Sequence, residues 1–144
     1  MARQKSIQPL AFDSNYFIAL FSPDDLLHER ASHLVHLIAE RTAIISNLVF
    51  AEIITVLSQQ RGHDFAVQVG EYLLDSPFIT IIQLDQLHHQ MTWKIFRNTH
   101  SKNISFVDCS TITVMQTEGL DTLVTFDTTD FKKLQKDYQF KIIS

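Results

Sequence analysis

The sequence predicts an α/β fold with a central, mostly parallel sheet of about five strands and helices on both faces. Three observations predict it. Short apolar runs alternate along the whole chain with segments of helical length, which is the pattern of βαβ units. The runs read as buried or β-branched, as the strands of a sheet covered by helices do. Capping residues, Gly and Pro mark most of the boundaries between the two kinds of segment.

In chain order, "QPLAF" (8–12) predicts a buried strand and "NYFIALFS" (15–22) a short helix stopped near Pro23. A second helix is expected from the Asp24/Asp25 pair to about Arg41, with an apolar stripe of Leu27, Ala31, Leu34 and Ile38. "AIIS" (43–46) is a short strand, and "NLVFAEIITVLSQQ" (47–60) a helix capped by Asn47 and closed by Gly62. Asp64 to Leu74 continues as helix, and the β-branched "FITIIQL" (78–84) is the most strand-like segment of the chain. Helices follow from Asp85 to about Asn98 and from Ser105 to Glu118, the latter with Gly119 as its C-cap. "TLVTF" (122–126) is a strand, 129–136 a short helix and "FKIIS" (140–144) the last strand.

At 144 residues, 45% of them hydrophobic and 19% charged, the chain is long enough for one domain with an ordinary core. Three Gly and three Pro leave no low-complexity linker, and residues 1–7 are expected to form a disordered N-terminal extension. The lone Cys109 cannot form an internal disulfide. With no signal-like segment and no apolar run of membrane-spanning length, the expected location is cytoplasmic, with no membrane partner. The net charge of −4 weighs against a nucleic-acid partner but hides an asymmetry. Residues 1–93 carry 5 Lys/Arg against 10 Asp/Glu, whereas residues 94–144 carry 7 against 6. Lys94, Arg97, Lys102, Lys132, Lys133 and Lys136 are therefore available to gather on one surface, although a charge run is more often a solvated face.

The acids stand in places where function shows. Asp13 lies at the exit of the first strand and Asp127 at the exit of "LVTF", so both point to one sheet edge if those strands are parallel neighbours. In such folds that edge is where ligands collect. Asp108 falls in the first turn of a helix, at the positive end of its dipole. Glu52 has Leu48, Val49, Thr55 and Val56 as helical neighbours, and no Lys or Arg lies between residues 42 and 60. A carboxylate among apolar groups then needs a distant base or a bound cation. Structural alternatives exist for each acid. Asp13 and Asp127 suit helix caps, "SFVD" (105–108) fits a capping box, and Glu52 suits a groove edge with its head in water. None of these explains why the acids should converge.

The segments "AFDSN", "NLVFAEI", "SFVDCSTITVMQTEG" and "LVTFDTTDFKKL", in this order, resemble the four signature segments of the PIN-domain family, most closely the VapC-type toxin ribonucleases of type II toxin–antitoxin pairs. The resemblance spans Leu10 to the last strand and implies a three-layer α/β/α PIN-like domain over residues 1–144. It also implies a metal-dependent endoribonuclease in which Asp13, Glu52, Asp108 and Asp127 hold one or two Mg²⁺ or Mn²⁺ ions. Ser14, Asn15 and Thr125 match the family's supporting polar residues, and Asp130 is expected as an outer-sphere helper. An RNA substrate, a small antitoxin and a homodimer are the implied partners. The alternatives are a PIN nuclease that processes nucleic acid without an antitoxin, or a noncatalytic module that binds RNA or protein. Tyr16 and Phe17 depart from the family pattern of smaller aliphatics and are expected at the mouth of the site or at a dimer contact.

Hard oxygen ligands suit Mg²⁺ or Mn²⁺, and hydrolysis by metal-bound water needs no protein nucleophile. Cys109, next to an acid, is poorly placed to form a thiolate. Glu29, His33, His36 and Glu40 follow one another at steps of four, three and four, a spacing open to zinc but better explained by a solvated helix face. The histidines, His88 and His89 included, receive no catalytic role.

Overall fold

The computed structural model describes residues 7–144, so all of the N-terminal extension expected over 1–7 except Ile7, which is exposed, lies outside the described residues. Five strands form one parallel sheet in the order β3-β2-β1-β4-β5: β1 Leu10–Phe12, β2 Ala43–Ser46, β3 Ile79–Ile82, β4 Thr122–Val124 and β5 Lys141–Ile143. Eight helices connect them: α1 Ser14–Leu20, α2 His28–His33, α3 His36–Arg41, α4 Asn47–Arg61, α5 His63–Asp75, α6 Gln86–Arg97, α7 Phe106–Glu118 and α8 Thr128–Gln135.

Side-chain alternation along the strands divides the core into two layers. Leu10, Phe12, Ala43, Ile45 and Val124 pack with α1, α4 and α5, among them Phe17, Val49, Ile53, Leu57, Val69 and Leu73. Ala11, Ile44 and Leu123 point the other way, toward Cys109, Ile112, Met115, Phe131 and Leu134 of α7 and α8 and Ile95 of α6. Both faces of the central strands β1, β2 and β4 are covered, which is why they are buried at every position, whereas the edge strands β3 and β5 expose Thr80 and Lys141. Chain order along the sheet reverses at β1, since β2 lies on one side of it and β4 on the other. The crevice at the carboxyl ends of β1 and β4 is therefore the topological switch point where α/β proteins bind ligands.

Three expectations are corrected here. The helix expected from Asp24 to Arg41 is two helices, broken after His33, and its start at the Asp24/Asp25 pair is a turn in which Asp25 accepts from the Leu27 N–H at 2.8 Å. Leu26 is 100% exposed and Leu27 is exposed too, so the apolar stripe reduces to Ala31 and Ile38, with Leu34 half-buried. The break also separates Glu29 and His33 from His36 and Glu40, which removes the shared helix face that a zinc site would need. At α4 the cap is Ser46, whose hydroxyl accepts from the Val49 N–H at 3.0 Å, while Asn47 accepts from the Leu84 N–H at 3.1 Å and ties β3's exit to the helix.

The third correction concerns Tyr16 and Phe17. Both are fully buried, in a knot with Phe12 whose ring centroids lie 4.9, 5.7 and 5.2 Å apart. The Tyr16 hydroxyl donates to the Ala31 carbonyl at 3.1 Å and so fastens α1 to α2. The rings replace aliphatic packing beneath the site and lie neither at its mouth nor on an exposed surface. Among the described residues no helix is long and apolar enough to cross a membrane. Phe17→Ala is expected to cost about 3–5 kcal/mol of stability, the range for removing a large buried ring. Denaturant unfolding checks this, and a loss near zero would mean that the knot is not a core element.

Candidate functional site

The site begins with backbone geometry. The Asp13 N–H continues the pairing of β1 with β4 by donating to the Val124 carbonyl at 3.0 Å. One residue beyond the strand, Asp13 turns the chain into α1 as its N-cap, with Oδ1 accepting from the Ser14 N–H at 2.8 Å and Oδ2 from the Thr125 hydroxyl at 2.9 Å. Thr125 also accepts from the Asp127 N–H at 3.0 Å, and Asn15 Oδ1 accepts from the Phe126 N–H at 3.1 Å. The polar residues after each strand thus hold the two strand exits together. Asp127 in turn caps α8, accepting from the Asp130 N–H at 3.4 Å.

The other two acids come from the flanking helices. Ser105 and Asp108 form a reciprocal capping box at the start of α7, at 2.9 and 3.1 Å. Glu52, half-buried on α4, accepts a hydrogen bond from the Ser14 hydroxyl. The helices that carry them are joined where Ser46 and Ser110 share a buried hydroxyl–hydroxyl hydrogen bond at 3.1 Å. The capping explanations of Asp13, Asp108 and Asp127 are therefore correct as local structure. They are also the means by which the three carboxylates reach one crevice.

Electrostatics binds the four into one group. Asp13 is pushed up to about 7, first by burial and then by the negative charges of Asp108 and Glu52, against the lowering pull of the Thr125 hydroxyl and Ser14 amide. Asp108 rises to about 6 for the same reasons, burial first and then Glu52 and Asp127, although its Ser105 bonds resist. Asp127 is raised by burial and by Asp130, and Lys133 pulls it down. Among the described residues the ion pairs are Arg61–Asp24, His88–Asp85 at 2.7 Å and Lys133–Asp130 at 3.4 Å, so none of the four acids has a paired base. Among the described residues Glu52 has no salt-bridge partner.

The donor set fits a hard divalent cation: carboxylate and hydroxyl oxygens, no thiolate and no compensating Lys or Arg. As the side chains stand, no three His, Cys, Asp or Glu groups among the described residues close around one point at metal-ligand spacing. Each carboxylate instead accepts from its own N–H or hydroxyl donor. Cys109, buried behind Asp108, is raised to about 11 by burial and by that acid, which leaves it an inert thiol.

Asp130 lies beside the cluster rather than in it, half-buried and paired with Lys133. Sequence reasoning missed Arg30. Its guanidinium lies 5.9 Å from the Phe126 ring centroid, one residue before Asp127, and with Lys132 and Thr128 it lines a pocket of about 370 Å³. No local pattern marks it, because its partner is 96 residues away along the chain. His33 and His36 are exposed, and His88 belongs to the capping box of α6 with Asp85.

The sequence model of the PIN domain matches residues 10–137. Among solved structures, that of the Mycobacterium tuberculosis toxin VapC20, described as cleaving the sarcin–ricin loop, superposes with a TM-score of 0.76 at 23% identity, covering 86% of this chain and 94% of that one. A toxin–antitoxin complex from Klebsiella pneumoniae gives 0.64 at 17% identity, covering 94% of this chain and 96% of that one. FitAcB from Neisseria gonorrhoeae gives 0.65 at 18% identity with the same coverage. These structures share the fold. No curated protein matches the chain.

The raised carboxyl of Asp13 makes a signed prediction. Its folded value, about 7, lies above the ordinary 3.8, so the folded state holds a proton that the unfolded chain has lost. The stability tied to that proton is complete in acid and disappears as pH rises through 7. In chelator, Asp13→Asn should gain on wild type by roughly 2–3 kcal/mol between pH 5 and pH 8. Denaturant unfolding of both proteins across that range checks it, and a difference that does not change with pH would contradict it.

Proposed function

The chain belongs to the PIN-domain family, and on that premise we propose that it is a single-domain, metal-dependent endoribonuclease that hydrolyses RNA phosphodiester bonds, the toxin of a toxin–antitoxin pair. The observation that carries this reading is the set of four convergent carboxylates without a single paired base. Asp13, Glu52, Asp108 and Asp127 would hold one or two Mg²⁺ or Mn²⁺ ions. A bound ion of this kind supplies a water of lowered pKa and positive charge beside the scissile phosphate.

The rest falls to the protein. Thr125 and the Ser14 amide stabilise the charged form of Asp13 against its burial. Ser14 orients Glu52, and Asn15 fixes the loop that presents Asp127. Asp130, through its own N–H, aligns Asp127 from outside the cluster. Burial and mutual repulsion keep Asp13 and Asp108 partly protonated near neutral pH, and they would give up those protons on holding a cation. Holding the cation would also convert a crevice that repels RNA into one that attracts it.

The partner assignment rests on likeness of fold to toxins, one of them in a toxin–antitoxin complex. We assign the chain a small antitoxin and a homodimeric state on that likeness. A PIN nuclease acting without an antitoxin would use the same four acids in the same way.

The decisive comparison pairs two helix-capping aspartates. Asp13→Asn keeps the cap, because Asn accepts the same N–H, but removes a ligand charge. It should lower cleavage of a mixed RNA pool in Mg²⁺ or Mn²⁺ on the order of 100-fold. Asp85→Asn alters an exposed cap of α6 whose charge is not among those that shift Asp13, Asp108 or Asp127, and it should leave cleavage at the wild-type rate. Equal cleavage by Asp13→Asn and wild type, prepared free of any co-purified inhibitor, would defeat the metal-site reading.

A further inference from the structure

One surface feature is used by nothing described so far. On α6 the residues His89, Trp93 and Phe96 recur at helical spacing along an outward stripe, while Thr92 and Ile95 face the core. The rings form a connected ladder. Trp93 stacks on Phe96 at 5.9 Å and 28°, Phe96 meets Phe106 edge-on at 6.0 Å, and Phe106 meets His89 at 5.4 Å. Trp93 is 52% exposed and Phe96 36%, so ring surface is left open to solvent. Phe106, the ring that joins His89 to Phe96, is the first residue of α7, so the ladder lies at the end of that helix whose first turn carries Asp108.

The charge around the ladder is one-sided. Lys94 and Arg97 form the neighbouring stripe of α6, and Lys102 follows in the loop to α7. From Gln86 to Val107 the sequence contains no Asp or Glu at all, in a chain whose net charge is −4. Exposed aromatic faces beside a row of cations are what single-stranded nucleic acid needs. Bases stack on the rings, and the backbone runs along the charges. An isologous contact between two copies fits less well, because it would bring Lys94 and Arg97 of one copy toward those of the other.

We infer that the His89–Phe106–Phe96–Trp93 ladder, flanked by Lys94 and Arg97, is a stacking platform that holds unpaired RNA bases next to the scissile position. The inference rests on the ribonuclease reading, since it adds to the same crevice a surface, built by α6 and the start of α7, on which the substrate's bases rest. The platform acts in binding and orientation, and its residues take no part in proton or phosphoryl transfer.

Trp93 is the chain's single tryptophan, so its emission reports on this surface alone. A 12-nucleotide single-stranded RNA of mixed sequence should quench it saturably, at lower RNA concentration in Mg²⁺ than in chelator, and the duplex of the same sequence should not. Measured by anisotropy of the labelled strand, Trp93→Ala and Phe96→Ala should each weaken binding about tenfold, with circular dichroism unchanged. The double variant Lys94→Gln/Arg97→Gln should flatten the dependence of log K on log salt by about 1.4. Absence of quenching, whether the strand binds or not, overturns the inference. So does a Trp93→Ala variant that binds RNA normally but runs as a smaller species than wild type, because the ladder is then a contact between copies. Quenching by RNA that no divalent ion causes to be cut would support the platform while removing the nuclease reading.

Discussion

Everything at this site depends on the pairing of β1 with β4. The hydrogen bond from the Asp13 N–H to the Val124 carbonyl extends that pairing by one residue beyond β1 and sets the exits of both strands side by side. Asp13 leaves one exit and Thr125, Phe126 and Asp127 leave the other. Because the sheet order reverses at β1, no further strand fills the space above them, and a crevice remains that α4 and α7 border from opposite faces. Among the described residues none of the four acids is in an ion pair, and Lys133, paired with Asp130, acts on Asp127 only at a distance. That imbalance is the physical reason to assign the crevice a cation.

The local hydrogen bonds reconcile two demands that would otherwise conflict. A buried carboxylate must be satisfied, yet a ligand must stay available. Thr125 does most of this work by donating to Asp13 while accepting from the Asp127 amide, so one hydroxyl links the two strand-end acids without neutralising either. Capping serves the same purpose at Asp108 and Asp127, where the free N–H groups of a first helical turn lend partial positive charge and no proton. The fold tolerates the acids through caps and hydroxyls, and it leaves their remaining repulsion for an ion to relieve.

What the sequence made legible follows from the range of the interactions involved. The strand at 43–46, the α7 capping box and its Gly119 terminus are local patterns, and they stand where local rules place them. The convergence of Asp13 and Asp127 was also legible, because parallel strands leave at one edge. Local rules failed where a tertiary contact competed. The helix expected over 24–41 begins only at His28, because Leu26 and Leu27 have no core to meet, and it is interrupted at Leu34 and Val35. Asn47 gives up the α4 cap because its amide is claimed by Leu84, 37 residues away. Tyr16 and Phe17 look like departures at a functional mouth only until their packing on Phe12 is seen. Arg30 and the aromatic ladder were equally hidden, since each is assembled from segments that only the fold brings together.

We propose that burial and repulsion hold protons on Asp13 and Asp108 until a divalent ion replaces them. Calorimetric titration of metal-free protein with Mn²⁺ at pH 6, in several buffers of different ionisation enthalpy, counts the protons released per ion bound. The account predicts that about one or two protons leave at pH 6 and markedly fewer at pH 8.5, because binding must deprotonate carboxyls that stand at about 7 and 6. Binding without proton release at either pH, or no Mn²⁺ binding at all, would contradict it.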